Sequence, residues 1–521
     1  MQRKISYELV FLLTAFIFIS ICFGNILSEQ QQVESLIEAG KLTQAQTQIE
    51  NLKAAYPYNQ KLPEALYWIA RRFGYIEYYE EEKNLYRQII QNYPNSFFAP
   101  KARLGYSRAE VLSLIISGKY DKAEAAIDRL VSDFIDHPDL MDTYYWIAER
   151  YRWAHKWSDA QYYYQQIIDN CTDQKQIDRA RLGHAKVEVL ALIVAKNFGP
   201  AETTLNELIT NHSTNPDLPE TLYRIARGYE WQSKYEQAKK VHELIVNNYA
   251  DSEFAQRAKI GVERTQASIF ITSGQAQDAN AVVAEIKADF TDNPDYTDTL
   301  YEIARVYDYA NSIEQAEQLH KTVVEGSDTR FSSKASIEHA KLGIFQLIDS
   351  NDCITFDDAI VSLRENFEGH PDLPNIIQNI ANKCAASGYE YKNESNYEKA
   401  NWCFEQAIAI SKITIAEFGP SSELTPQAYY ITAVCHQYLG DYEQSILNCQ
   451  KALDGWPENE NSWRVLFIMA QSYEQMAEAR LISKKQAAEQ INIICEKLLN
   501  HSDFQADKAA KSLLKKWTLN K

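Results

Sequence analysis

The dipeptide Ile147-Ala148 recurs as Ile69-Ala70, Ile225-Ala226, Ile303-Ala304 and Ile380-Ala381, in successive steps of 78, 78, 78 and 77 residues. A register held over four steps marks a repeat architecture, in which each unit buries its apolar face only by stacking on its neighbours. The stretch 137–168 shows what one unit contains. Its opening His137-Pro138-Asp139-Leu140 returns as Asn215-Pro216-Asp217-Leu218, Asn293-Pro294-Asp295-Tyr296 and His370-Pro371-Asp372-Leu373. Proline stops a preceding helix, and an acidic residue just after it suits the start of the next. Asp139, Asp217, Asp295 and Asp372 are therefore expected N-caps, each worth roughly 1 kcal/mol.

Inside the helix that follows, Leu66, Ile69, Ala70 and Phe73 stand at i, i+3, i+4 and i+7, as do Tyr144, Ile147, Ala148 and Tyr151. That spacing predicts one apolar stripe on a helix. A second helix carries Ala160, Tyr164 and Ile167, then Ala238, His242 and Ile245, then Ala316, His320 and Val323. Small residues at these places let two backbones approach closely. The unit reads as helix, turn, helix.

This pattern resembles the tetratricopeptide repeat. The likeness is fullest in residues 428–459, where Tyr429, Ala433, Gly440, Asp441, Tyr442, Ala452 and Pro457 fall on family positions and Ser445 replaces the usual alanine. The segment LYRQIIQNYPNSFFAPKA, echoed by VHELIVNNYADSEFAQRA, also resembles exported tetratricopeptide proteins of bacterial cell envelopes. The resemblance implies an all-α, right-handed solenoid of helical hairpins that binds a peptide or protein on its concave face, without catalysis.

Gly40, Ala45 and Ile49 match Gly118, Ala123 and Ile127 after 78 residues, so each period holds two hairpins of about 39 residues. That exceeds the ~34 of a simple tetratricopeptide unit. The excess is expected in longer helices around Gly105, Gly183 and Gly343, and a four-residue insertion is expected between Gly326 and Ser333. Past Ala381 the rhythm changes. The polar run SGYEYKNES reads as turn material, which places a boundary near 385 between a solenoid of double units over 29–385 and shorter hairpins with a capping helix over 386–521.

Residues 1–24 differ from the rest. Arg3 and Lys4 precede an apolar run, Leu9 to Phe23, that is shorter than the ~20 residues of a spanning helix. A secretory signal is the expectation. The mature chain is then exported, periplasmic or secreted, and membrane contact is expected only through this segment if it is retained. The net charge of −18 argues against nucleic acid and anionic lipid as partners, since both demand basic patches. Of eight cysteines, seven follow the segment, an odd number, and Cys435 and Cys449 face each other as a bridge or as buried thiols.

The binding candidates are three rows that keep the same period. Tyr67, Tyr145, Tyr223 and Tyr301 form one, Tyr75, Trp153, Trp231 and Tyr309 another, and Arg71, Glu149, Arg227 and Arg305 lie between them. Aromatic and arginine side chains dominate binding hot spots because they offer large contact area and planar donors. Packing between helices is the competing reading for both aromatic rows, and pairing with nearby glutamates for the arginines. The second reading is a carbohydrate-binding or glycan-processing helical protein in which sugar rings stack on the aromatic rows. His242 and His320 sit at a packing position, and no metal, cofactor or catalytic motif occurs, so none is expected.

Overall fold

The computed structural model describes residues 26–326, 329–419, 424–457, 459, 461–501 and 503–517. The signal segment read from residues 1–24, Cys22 included, lies outside them. Among the described residues the chain is all-α, and no helix is long and apolar enough to cross a membrane. The chain separates into two compact units, 1–296 and 297–521.

In the first unit, helix α1 (26–38) and α2 (Leu42–Ala55) form the leading hairpin. The 78-residue period then appears as four helices, α3 (Leu62–Tyr75), α4 (Tyr79–Asn92), α5 (Phe98–Ile116) and α6 (Tyr120–Phe134). It repeats as α7 (Leu140–Trp153), α8 (Trp157–Asn170), α9 (Gln174–Val194) and α10 (Phe198–Asn211). It repeats again as α11 (Leu218–Trp231), α12 (Tyr235–Asn248), α13 (Glu253–Thr272) and α14 (Ala276–Asp289).

The second unit opens with a further set, α15 (Tyr296–Tyr309), α16 (Ile313–Glu325), α17 (Thr329–Ser350) and α18 (Cys353–Asn366). It continues through α19 (Leu373–Asn393), α20 (Tyr397–Phe418), α21 (Leu424–Tyr438), α22 (Tyr442–Gly455), α23 (Ser462–Glu478), α24 (Lys484–Leu499) and α25 (Phe504–Trp517). The extra length of the period lies where expected, because α5, α9, α13 and α17 have 19, 21, 20 and 22 residues.

Turns repeat as faithfully as helices. Glu77, His155, Ser233 and Asn311 all have φ between 55° and 67°, and Gly118, Lys196, Gly274 and Asn351 occupy the same left-handed region one hairpin later. At Gly118 the N–H reaches the Ile115 carbonyl and the Lys119 N–H reaches that of Leu114, a Schellman closure that consumes the last carbonyls of α5.

Two details differ from the sequence reading. Asp139, Asp217 and Asp372 occupy the N-cap positions but make no side-chain cap bond. Their own N–H groups, and that of Asp295, donate instead to His137 Nδ1, Asn215 Oδ1, His370 Nδ1 and Asn293 Oδ1. The carboxylates turn to Lys101 at 3.2 Å, Arg179 at 4.0 Å and Arg257 at 3.4 Å, bases that themselves recur every 78 residues. Second, the run read as turn material is helical over 387–393, with only Glu394 and Ser395 in the turn, and residue 385 falls inside α19, which together with the 22-residue α20 makes a hairpin of two long helices. Of the two alternatives open for Cys435 and Cys449, the structure has buried free thiols.

Packing at the hairpin contacts explains the recurring glycines. A Cβ on Gly105, Gly183 or Gly261 would lie 2.6 Å from the ring of Tyr86, Tyr164 or His242, whereas one on Gly343 would meet nothing within 4 Å. Gly183→Ala is therefore expected to cost about 1–3 kcal/mol through overpacking. Gly343→Ala, inside α17, is expected to stabilise by about 0.5–1 kcal/mol. Urea unfolding of both variants checks the pair, and equal effects would contradict this helix register.

Candidate functional site

The three candidate rows occupy different environments. Tyr67, Tyr223 and Tyr301 are buried and Tyr145 is half-buried. Their rings pack on Tyr86, His242, His320 and Tyr164 at 5.7, 5.5, 5.6 and 5.7 Å, the same residue position of the second helix each time. Three of them also meet a phenylalanine, Phe98, Phe254 or Phe331. Tyr67, Tyr223 and Tyr301 are thus packed between helices, while Tyr145 keeps part of its ring accessible. The second row is its opposite, with Tyr75, Trp153, Trp231 and Tyr309 52, 46, 54 and 79 % exposed.

The third row belongs to a buried charge network. Glu149 lies 2.7 Å from Arg152 Nη2 and 2.7 Å from Lys186 Nζ, and the Tyr164 hydroxyl donates to it. One period later the polarity is exchanged. Arg227 occupies the Glu149 position and Glu230 the Arg152 position, 3.0 Å apart, with Arg264 at 2.9 Å and His242 at 2.8 Å closing around the same carboxylate. One period earlier, Gly74 stands where Arg152 and Glu230 do, and Glu82 fills the space above it, 3.0 Å from Arg108. Arg71 there reaches Asp142 at 3.3 Å. In the second unit Arg305 pairs with Glu302 at 3.2 Å and donates to the Tyr309 hydroxyl, while Asp308 holds Lys341 at 2.6 Å.

The charges set the protonation of these groups. Burial pushes the Glu149 carboxyl up, but Lys186 and Arg152 outweigh it and hold it well below the usual carboxylate range. Glu230 is likewise held low, burial being overcome by Arg264 and Arg227. Burial pulls Lys186 down to about 8 against the opposing attraction of Glu149, and pulls His242 down despite its bond to Glu230. Arg108, Lys186 and Arg264 recur at 78 residues, and a base repeated within an apolar helix was the legible sign of this network.

Within the first unit, α7, α9 and α11 with the end of α3 enclose a cleft of about 570 Å³ that brings Tyr75, Tyr145, Glu149 and Trp153 together. Residues that the sequence reading did not single out complete it. Arg150 pairs with Glu77 at 2.6 Å, and Tyr75 meets the Trp146 ring at 4.7 Å. The Arg152 and Arg224 guanidinium carbons lie 4.6 and 6.0 Å from the Trp153 ring centre, and that of Arg179 lies 3.8 Å from Tyr145. Cations held against aromatic faces in this way offer planar donors beside flat apolar surface, at low conformational cost on binding. The carboxylates of the cleft are engaged by bases, which leaves them poorly suited to act as general bases. Among the described residues no cluster of histidine, cysteine and carboxylate side chains could hold a metal ion.

Comparison with known proteins bears on this region. Residues 220–252 match the tetratricopeptide repeat. The match covers most of α11 and α12, one hairpin of the third period. A search of curated proteins finds no match. Among solved structures, the chain is similar to the apo form of the quorum sensor NprR from B. thuringiensis, with 14% identity, a TM-score of 0.35 and coverage of 83% of this chain and 98% of that one. It is similar to the apo form of RapI, with 10% identity, a TM-score of 0.34 and coverage of 74% and 98%. The human IFIT1 dimer with PPP-AAAA gives 13% identity, a TM-score of 0.38 and coverage of 84% and 94%.

The network predicts a mutational and a pH response. Glu149→Gln leaves Lys186 and Arg152 facing each other in a buried site, and is expected to cost about 3–5 kcal/mol in urea unfolding. Adding Lys186→Met should recover part of that loss, and a double variant no better than the single one would contradict the pairing. Because Glu149 and Glu230 are depressed, their contribution is complete above the ordinary carboxyl value of 4.5 and is lost as pH falls below it. Stability measured between pH 5 and pH 3 should therefore fall less steeply in Glu149→Gln than in the wild type.

Proposed function

We propose that this chain is a non-enzymatic interaction scaffold that holds a peptide or protein segment in the cleft of its first unit. The observation that carries this reading is the exposed Trp153 ring held beside the guanidinium groups of Arg152 and Arg224, with Tyr75 and Trp146 at the edge of the same cleft. The ligand gains ring contact and planar hydrogen bonds from side chains already held in place by ion pairs, so little freedom is lost on binding. The repeat match at residues 220–252 supports a scaffold of helical hairpins. Tyr67, Tyr223 and Tyr301 are buried, so the binding role rests on Tyr145, on the Tyr75, Trp153, Trp231 and Tyr309 row and on the arginines beside them.

We further propose that the scaffold works outside the cytoplasm, in the cell envelope or the secreted space. Support for location comes only from the basic pair Arg3-Lys4 and the apolar run after it. A reporter fused behind residues 1–24 and retained in the cytoplasm would overturn that part of the proposal.

Trp153→Ala combined with Arg224→Ala tests the cleft. Both side chains are substantially exposed, so circular dichroism and melting should stay near the wild type. Peptides selected from a displayed random library on the wild-type chain should bind the double variant about tenfold more weakly or worse. Selection of no peptide, with saturable binding on a glycan array that the double variant abolishes, would replace the peptide reading by carbohydrate recognition.

A further inference from the structure

The charged cleft holds one imbalance of charge. In the first period Arg108 stands between two carboxylates, Glu82 at 3.0 Å and Asp142 at 3.9 Å, the second supplied by α7 of the following period. On α17, Lys341 likewise stands between Asp308 at 2.6 Å and Glu338 at 2.5 Å. Arg264 on α13 takes both oxygens of Glu230, at 3.0 and 2.9 Å. Lys186 has less. Among the described residues its ammonium meets one carboxylate within 4 Å, Glu149 at 2.7 Å, and Arg152 and the Tyr164 hydroxyl share that same group.

The repeat provides its own comparison. Asp142 falls on Glu220 after 78 residues. Asp142 closes the first-period network by reaching Arg71 and Arg108. Glu220 instead turns along its own helix and accepts from both Nε and Nη2 of Arg224, at 3.1 and 3.0 Å. The carboxylate that would complete Lys186 is thereby held by another base.

Depth separates the remaining charges. Arg152 and Lys186 are buried at the floor of the cleft, whereas the side chains of Glu77, Asp217, Glu220, Arg179 and Arg224 are 39–50 % exposed at its rim. The rim acids each have one base, Arg150 for Glu77, Arg179 for Asp217 and Arg224 for Glu220. The floor places two cations on Glu149 alone. That excess of one charge matches a carboxylate, and the further charge of a phosphate group would face the rim acids. A buried cation without full compensation is costly, and an anion beside it relieves the cost. Burial, with Arg152 and Arg224 nearby, pulls Lys186 down to about 8 against the attraction of Glu149.

Building on the peptide reading above, we propose that Lys186 and Arg152 form the floor of a carboxylate site, which the bound segment enters with the side chain of an internal glutamate or aspartate. The ligand carboxylate takes beside Lys186 the part that Asp142 takes beside Arg108. The cleft extends from the end of α3 past α7 and α9 to α11, so the segment continues in both directions from its acidic residue.

The test uses the full chain and the peptides selected on it from the displayed random library. The selected sequences are expected to share a glutamate or aspartate, and exchanging it for glutamine or asparagine should weaken binding about tenfold or more. Amidation of the peptide C-terminus should change affinity less than about twofold. Lys186→Met leaves Glu149 paired one to one with Arg152, so circular dichroism and melting should stay near the wild type. The acidic peptide and its amide counterpart should then bind within about twofold of each other. Proton uptake gives a readout that a structural role would not move, and it serves if Lys186→Met folds poorly. Near pH 8 the ammonium of Lys186 is partly deprotonated, and a carboxylate beside it restores the proton. Calorimetry in two buffers of different ionisation heat should therefore show uptake with the acidic peptide at about pH 8, much less at about pH 6, and none with the amide peptide. Selected peptides that lack an acidic residue yet lose affinity in Trp153→Ala would overturn the carboxylate site and leave the scaffold reading standing. Selection of no peptide would overturn both. Tighter binding with phosphoserine at the acidic position, discrimination retained by folded Lys186→Met, or no proton uptake near pH 8 would each overturn the carboxylate site.

Discussion

The close contact between one helix and an aromatic ring on the helix before it sets the spacing that everything else follows. Gly105, Gly183 and Gly261 have no Cβ, and the rings of Tyr86, Tyr164 and His242 occupy the space that one would take. With backbones this near, the apolar stripes of consecutive hairpins bury one another: Ile147 and Ala148, Ile225 and Ala226 are fully buried. A single hairpin has too little interior to be stable alone, so the period of the sequence and the stacking of the structure are the same fact seen twice.

Placing polar rings at this contact creates a demand for polar partners, and the charge network meets it. A tyrosine hydroxyl or histidine nitrogen buried beside a neighbouring helix needs a carboxylate, the carboxylate needs a base, and the base arrives from the long third helix at Arg108, Lys186 or Arg264. Glu149 and Glu230 differ by one helical turn within the period, yet each finds the base at the same repeat position, because residues three apart on a helix share a face. The outer members of the network line the charged cleft. Trp153 is consequently presented to solvent, and Tyr145 lies half-buried in the same cleft, each beside a guanidinium group whose position is already set.

Identical periodicity concealed opposite roles. Tyr67 and Tyr75 stand eight residues apart on α3, a rotation of roughly 80° around a helix of 3.6 residues per turn. That angle separates a ring facing Tyr86 from a ring facing water, and the same holds for Tyr223 and Trp231 on α11. Repetition copies both rows equally, so spacing alone cannot sort them. The N-caps show the same limit on a smaller scale. Asp139 and Asp217 stand at their helix starts as the Pro-Asp pattern indicates, but the carboxylates answer to Lys101 and Arg179 from another helix, a partner that local sequence does not display.

The residues alone determined the all-α class, the 78-residue double hairpin, the long third helix of each period and the places where turns fall, because propensity, period and turn chemistry act over a few residues or along one face. Only the tertiary structure decided which aromatic rings are core, where the buried carboxylates find their bases, and that α19 runs on past residue 385. Each of those outcomes depends on the distance and angle between helices that are far apart in the chain, quantities that no single helix carries within itself.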